Sequence, residues 1–558
     1  MQPHFLEQNI AKLLLEKACL LCPKHGTIFE NCGLRISRAQ EQILLAADIA
    51  SANHFSSEEM SKRLVRAWND EEDEDRISML SALSCCATKL REATIHSGNL
   101  DRSTQNFLFG QLIENVPDFW QDFDAIVVDC AEESSALALE FYRLADEQQK
   151  SVFLAYLIGG GYQLESIPTL VAEFIARRTD FRYLDATGIS LAGFGEILAR
   201  KLSLDFKNPL ATPDLIDQKP PTHLQGQSQT EMAERMAVQI AEILSQGVAI
   251  EKIVVITPRP DPSLALVLKV RLAKAVYFVE EALPLVKYPL VRALLCALEL
   301  AHPAWNCFPS FAEVQVMLSV LLDIDPVRAE LLTTDVLDPL SRTLRPGQAT
   351  RFPERVGFAN LASYQQLHGW LETYQAGDQR TIPDFWEHLV AELCNESFTP
   401  EDVLLFQALI ATTQEVQNIF PGQSQKSFLK TLRSGLYAPQ LPIPSEPFLL
   451  LATPEDFLAQ DLQVHHQFWF DISSDHWLKS AWQTLYNHRV LTPEWNGQPF
   501  GELQDRRFRM LSLAKLLFQL SCRTETLWFV QSSLNARGEE NTGLLAPIIL
   551  SAIAESYS

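Results

Sequence analysis

The chain has 558 residues, 47% apolar and 21% charged, which is more than one ordinary core can hold and too apolar for a disordered protein. Its 46 basic and 70 acidic residues leave a net charge of −24, which excludes a surface that coats nucleic acid indiscriminately but leaves room for a local basic channel. The start "MQPHFLEQNIAKLLLEK" lacks the pattern of a secretory signal, no uncharged apolar run is long enough to span a bilayer, and ten scattered cysteines fit a reducing compartment, so a cytoplasmic protein with no membrane partner is expected.

In chain order, residues 1–115 read as helical: "IAKLLLEKACLL", "RAQEQILLAADIA" and "SSEEMSKRLVRAW" repeat apolar residues at spacings of three and four. The acidic run "NDEEDEDR" at 69–76 reads as a solvated loop. From Phe123 the pattern turns α/β, with strand "DAIVVD", helix "SSALALEFYRLADE", strand "SVFLAYLI", a "GGG" turn, a helix near 167–178 and strand-like "FRYLD". That alternation implies parallel strands joined by crossover helices, so 116–206 is expected to form a partial α/β domain. The proline-bearing stretch 207–229 reads as a linker. A second α/β passage occupies 230–289, where Met236, Ile240 and Ile243 share a helix face before the strand "KIVVIT". Residues 290–445 read as a helical insertion, and the sheet resumes over 446–558 with "PFLLLAT", "HQFWFDIS" and "TLWFVQSS".

A phosphate loop needs glycines for close backbone approach and a lysine to hold the phosphates, and this chain contains no Gly-Lys dipeptide. Gly159-Gly160-Gly161 follows a strand but lacks the lysine, so it reads as a tight turn. Asp129, at the end of "DAIVVD", is placed to hold magnesium, yet hydrolysis also needs a neighbouring carboxylate to orient water, and the next residue is Cys130. Glu132 and Glu133 lie further along. Cys19, Cys22, His25 and Cys32 offer four soft ligands in one short segment, but their irregular spacing on an apolar helix end favours buried thiols, and no metal is expected.

The order of these elements resembles superfamily 1 helicases of the UvrD and RecB/AddB type. The strand "DAIVVDCAEE" is similar to that family's Walker B strand at Asp124, Val128, Asp129 and Glu133, and "GGGYQ" keeps Gln163 where the family's next strand carries a phosphate-sensing glutamine, with Gly160 in place of its aspartate. Arg259 falls near a phosphate-facing arginine position, and "LLFQLSCRTETLWFVQSS" is similar to the last helicase motif, which puts Arg523 where the family keeps an arginine finger. "PLVRALL", "DIDPVRAELL", "HHQFWFDISSDHW" and "SSLNARGEENTGLLAP" look most like AddB-like "recombinase family" proteins of cyanobacteria. The resemblance implies two RecA-like parallel-sheet domains with large helical insertions, and remnants of a nucleotide site at Asp129, Glu133, Gln163, Arg259 and Arg523. No nuclease domain or cysteine quartet for a cluster follows the last motif.

DNA contacts are expected, if anywhere, at "DRRFR", through Arg506, Arg507 and Arg509, with Trp477 as an aromatic platform. The resemblance also places a Gly-Leu-Glu motif, which couples ATP to DNA movement, in "TPEDFLAQDLQVHHQFWFDIS", where there is no glycine. The loss of lysine, catalytic carboxylate and coupling glycine together predicts a degenerate helicase-like protein that needs no cofactor, serving as a DNA-binding or scaffold subunit in recombination or repair beside a nuclease or helicase subunit. Two alternatives stand beside it: an ATP- and magnesium-dependent helicase whose phosphate loop lies upstream or on a partner, and an interaction scaffold that does not touch DNA.

Overall fold

The computed structural model describes residues 3–6, 8–19, 22, 36–68, 73–157, 159–178, 191–206, 221–259, 261–278, 285–377, 381–393, 398–420, 425–435, 446–478, 486–535, 537–541 and 543–556. The chain divides into two compact units, Met1–Val279 with Ile443–Ser558, and Glu280–Pro442.

The first unit opens with helices α1 (Gln8–Cys19), α2 (Ile36–Ala52), α3 (Ser57–Trp68), α4 (Glu74–Ser97) and α5 (Arg102–Asn115), and a short parallel pair, β1 (His4–Phe5) with β2 (Asn99–Leu100). The apolar spacing explains their packing: α3 buries Met60, Leu64 and Ala67, and α4 buries Met79, Leu83, Cys86 and Leu90. Part of the acidic run is helical, because Asp73 accepts a hydrogen bond from the Arg76 N–H and caps α4. Next come β3 (Ala125–Val128), α6 (Ala136–Glu147), β4 (Ser151–Leu154), α7 (Pro168–Ala176) and α8 (Ala192–Leu202). Strands β3 and β4 pair in parallel with Val127 opposite Phe153, as a two-stranded sheet. The expected strand "FRYLD" lies outside the described residues.

A six-stranded, all-parallel sheet dominates this unit. Its strands are β5 (Thr222–Gly226), β6 (Ile253–Ile256), β7 (Ala275–Phe278), β8 (Phe448–Ala452), β9 (Val464–Phe470) and β10 (Thr524–Ser532), in the order β5-β10-β9-β6-β8-β7. Alternate residues feed two cores. Ile253, Val255, Leu449, Leu451, Phe468 and Val530 face α9 (Gln229–Ser245) and α10 (Pro262–Leu272). Val254, Ile256, Leu450, Trp469, Leu527 and Phe529 face α8 and the late helices Glu502–Ser521 and Leu545–Ser556. Burial on both faces is why these strands read as continuous apolar runs. The two outer strands escaped the sequence reading. β5 lies inside the stretch read as a linker, and "AVYF" of β7 is four residues long, so neither offers a long apolar run to a pattern search.

The second unit, by itself, is helical: α11 (Pro289–Ala301), α12 (Phe311–Leu321), α13 (Pro326–Val336), α14 (Pro353–Val356), α15 (Phe358–Ala376), α16 (Ile382–Leu393), α17 (Pro400–Ile419) and α18 (Gln425–Gly435). Helix α11 is buried from Leu290 to Ala301 except at Arg292, as the centre of a helical core. In that core the Arg433 guanidinium ion-pairs with Glu299 and Glu313. Returning to the first unit, α19 (Pro454–Ala459), α20 (Glu502–Ser521) and α21 (Leu545–Ser556) complete the chain. Among the described residues no helix is long and apolar enough to cross a membrane.

Candidate functional site

Asp129 and Glu133 line one cavity of about 440 Å³ together with Gln163 and Arg523, which are distant from them in sequence. Asp129 leaves the carboxyl end of β3, is exposed, and its Oδ1 accepts from the Cys130 N–H at 2.9 Å. Cys130 adopts a left-handed backbone, φ +53°, which turns the chain sharply into the single turn 131–133. Burial, then the Glu132 and Asp129 carboxylates, push its thiol up to about 11, so at neutral pH it is protonated and cannot take a proton from water.

Glu133 points at the glycine turn. One carboxylate oxygen accepts from the N–H groups of Gly161 and Tyr162, both at 3.1 Å, and from Gln519 Nε2 at 3.1 Å, while the other accepts from Gln163 N–H at 3.0 Å. The carboxylate is therefore a buttress for the turn. Glu132 is 1% exposed, accepts from the Leu157 N–H at 2.9 Å, and is pushed up to about 7 by burial. The glycines are required here: Gly159 and Gly161 have φ near +87° and +85°, and a Cβ on Gly160 would lie 2.6 Å from Glu132 Cγ and 2.7 Å from Gln519 Nε2.

The opposite wall comes from Gln519 of α20 and from Arg523 just past the helix end. Lys515, one turn before Gln519 in an otherwise apolar run, lies outside the lining and holds the glycine turn instead. Lys515 Nζ donates to Gly161 O at 3.2 Å; burial, then Arg489, lowers its ammonium to about 8. Arg523 donates to Gln519 O at 3.3 Å and to Asp461 Oδ1 at 3.2 Å. Arg102, also on the cavity wall, pairs with Glu165 at 3.2 Å. Lys515 and Gln519 were missed in the sequence, although two polar residues four apart in "LAKLLFQL" mark one face in the buried second half of the helix.

The remaining expected residues lie elsewhere. Arg259 is at the carboxyl end of β6, where it donates to His476 Nε2 at 3.1 Å. His476 lines a separate, smaller crevice of about 70 Å³ with Trp477 and Arg509. This crevice sits where the connections from β6 and β9 run off in opposite directions, the usual ligand position of an open parallel sheet, but its volume is too small for a nucleotide. Trp477 is 4% exposed and packs near Trp469, its Nε1 donating to Asp471 O at 3.0 Å, so no base can stack on it in this conformation. Arg507 is ion-paired with Asp205 and Arg509 with Asp505, whereas Arg506 is exposed. Cys19 and Cys22 are buried, and His25 and Cys32 lie outside the described residues. Among the described residues no group of three or more His, Cys, Asp or Glu side chains is arranged to hold a metal ion. No protein-family model matches the chain, and no curated protein matches it.

Proposed function

We propose that the chain is a degenerate superfamily 1 helicase-like subunit, a scaffold in DNA recombination or repair that does not turn over ATP by itself. The observation that carries this reading is the saturation of Glu133: this carboxylate, in the same cavity as the Walker B-like aspartate, holds a backbone turn with four hydrogen bonds and has no role left as a base. The cavity fits MgATP poorly. Four carboxylates, Asp129, Glu132, Glu133 and Glu165, face two arginines that are already ion-paired, and the lining contains no lysine to hold a terminal phosphate.

In this reading the six-stranded sheet is the second RecA-like domain, and β3–β4 with α6 and α7 is what remains of the first. A scaffold role is supported by the outer face of β3–β4, where Val127 is 80% and Phe153 60% exposed. Parallel sheets are normally covered on both faces, and an apolar face that the described residues leave open suits a nuclease or helicase subunit. The pairing of Arg507 and Arg509 and the burial of Trp477 favour a second reading, a scaffold that makes no DNA contact. Titration of single-stranded and duplex DNA at several salt concentrations separates them: affinity that falls with salt supports phosphate contacts, and no binding at low salt assigns the chain to protein contacts alone.

A further inference from the structure

The helical region of the first unit brings together four cysteines that the sequence separates. Cys19 ends α1 and Cys22 follows it by one turn, while Cys85 and Cys86 are adjacent in the middle of α4. Cys22 Sγ lies 2.6 Å from Cys85 Sγ, across 63 residues of chain. That separation is well inside thiol–thiol contact and approaches the disulfide bond length of about 2.05 Å. Cys86 contacts both Cys19 and Cys22. Of the four, Cys19, Cys22 and Cys86 are buried and Cys85 is partly open to solvent.

We propose that Cys22 and Cys85 form a reversible thiol–disulfide site that staples the end of α1 to α4. The oxidant is a small-molecule disulfide such as glutathione disulfide. Cys85, the thiol that solvent reaches, attacks one sulfur of the oxidant; its proton leaves to water, and one glutathione departs as thiolate. The product is a Cys85–glutathione mixed disulfide. Cys22 Sγ then attacks the Cys85 sulfur, its proton passes to the departing second glutathione, and the Cys22–Cys85 bond forms. Two protein thiols are oxidised and one glutathione disulfide is reduced to two glutathiones, so the exchange balances. Burial, then contact with the neighbouring thiols, pushes Cys22 well above its usual range, so it is the slower, resolving thiol and loses its proton as it attacks. Ten cysteines in a chain of this length mark a reducing environment, where a bond of this kind is a labile, regulatory one rather than part of the permanent framework.

The test uses the full chain. Purified reduced protein is incubated in glutathione buffers of increasing oxidised fraction, quenched with an alkylating agent and mapped by peptide mass spectrometry. The expected result is a Cys22–Cys85 cross-link that dithiothreitol removes. In Cys22→Ser the resolving thiol is gone, and the expected result is a glutathione adduct that accumulates on Cys85 with no cross-link. Wild-type protein whose Cys22 and Cys85 both stay free at the most oxidising ratio would overturn the proposal without reference to any variant, and so would a cross-link confined to Cys19 and Cys86. Stoichiometric zinc on the reduced protein, with these thiols alkylated only after a chelator is added, would overturn it in favour of a metal site.

Discussion

Replacing Glu133 by alanine separates a structural carboxylate from a catalytic one. In the native chain this side chain accepts three backbone N–H groups, from Gly161, Tyr162 and Gln163, and the Gln519 amide, at 3.0 to 3.1 Å. Hydrogen bonds to a charged group contribute roughly 1.5–3 kcal/mol each, but they are not additive, and here Gln163 is exposed enough for water to replace part of the loss. The expected cost to the turn is therefore about 2–4 kcal/mol, which corresponds to roughly 30- to 700-fold more local opening at about 1.4 kcal/mol per decade. Hydrogen exchange read by mass spectrometry on peptides covering 155–170 and 510–522 measures it, because the same carboxylate ties the turn to α20. Exchange should accelerate in both peptides and remain unchanged in the second unit. The reasoning is refuted if exchange is untouched while an ATPase activity of the wild type is lost.

Three further outcomes follow from the same structure. Glu132 holds its proton up to about pH 7 in the folded chain against 4.5 in the unfolded one; the folded state therefore binds the extra proton between those values, and stability falls as pH rises through that window, by about 3 kcal/mol, then levels off. Glu132→Gln, which can still accept from Leu157, should flatten this slope, and urea midpoints at pH 5 and pH 8 that shift as much in the variant as in the wild type would count against it. In the second unit, Arg433→Met strands Glu299, 5% exposed, beside Glu313, and should cost about 3–5 kcal/mol by urea denaturation, part of it recovered by adding Glu299→Gln. Val127→Lys with Phe153→Glu, both on the bare face of β3–β4, should leave the melting temperature of the isolated chain nearly unchanged, since exposed substitutions rarely exceed about 0.5 kcal/mol; a clear drop would mean that the chain itself covers this face.

How much was legible in the sequence depended on burial. β6, β8, β9 and β10 are flanked by helices on both faces, so their runs of Ile, Val, Leu and Phe stand out. β5, "THLQG", is an edge strand next to a proline-rich stretch and carries one aliphatic side chain, so nothing in its pattern distinguishes it from a connector. In the site, Asp129, Glu133, Gln163 and Arg523 could be singled out one by one through a resemblance, and the structure brings them to one cavity. What they do there was not legible, because it depends on which N–H groups Glu133 meets, and these come from a glycine turn nearly thirty residues away whose path is set by contacts with Phe206, Phe518 and Gln519. Trp477 misled for a related reason: the short turn after β9 folds its ring back into the core, which a sequence pattern with period two does not reveal.

A cavity beside Asp129 that performs no phosphoryl chemistry leaves ATP intact, which is measured as phosphate release from radiolabelled ATP with magnesium, at high concentration of the full chain, with and without single-stranded DNA, beside an Asp129→Ala control. Release that does not exceed the control under any condition is the predicted result; DNA-stimulated release by the wild type that disappears in Asp129→Ala would contradict the account.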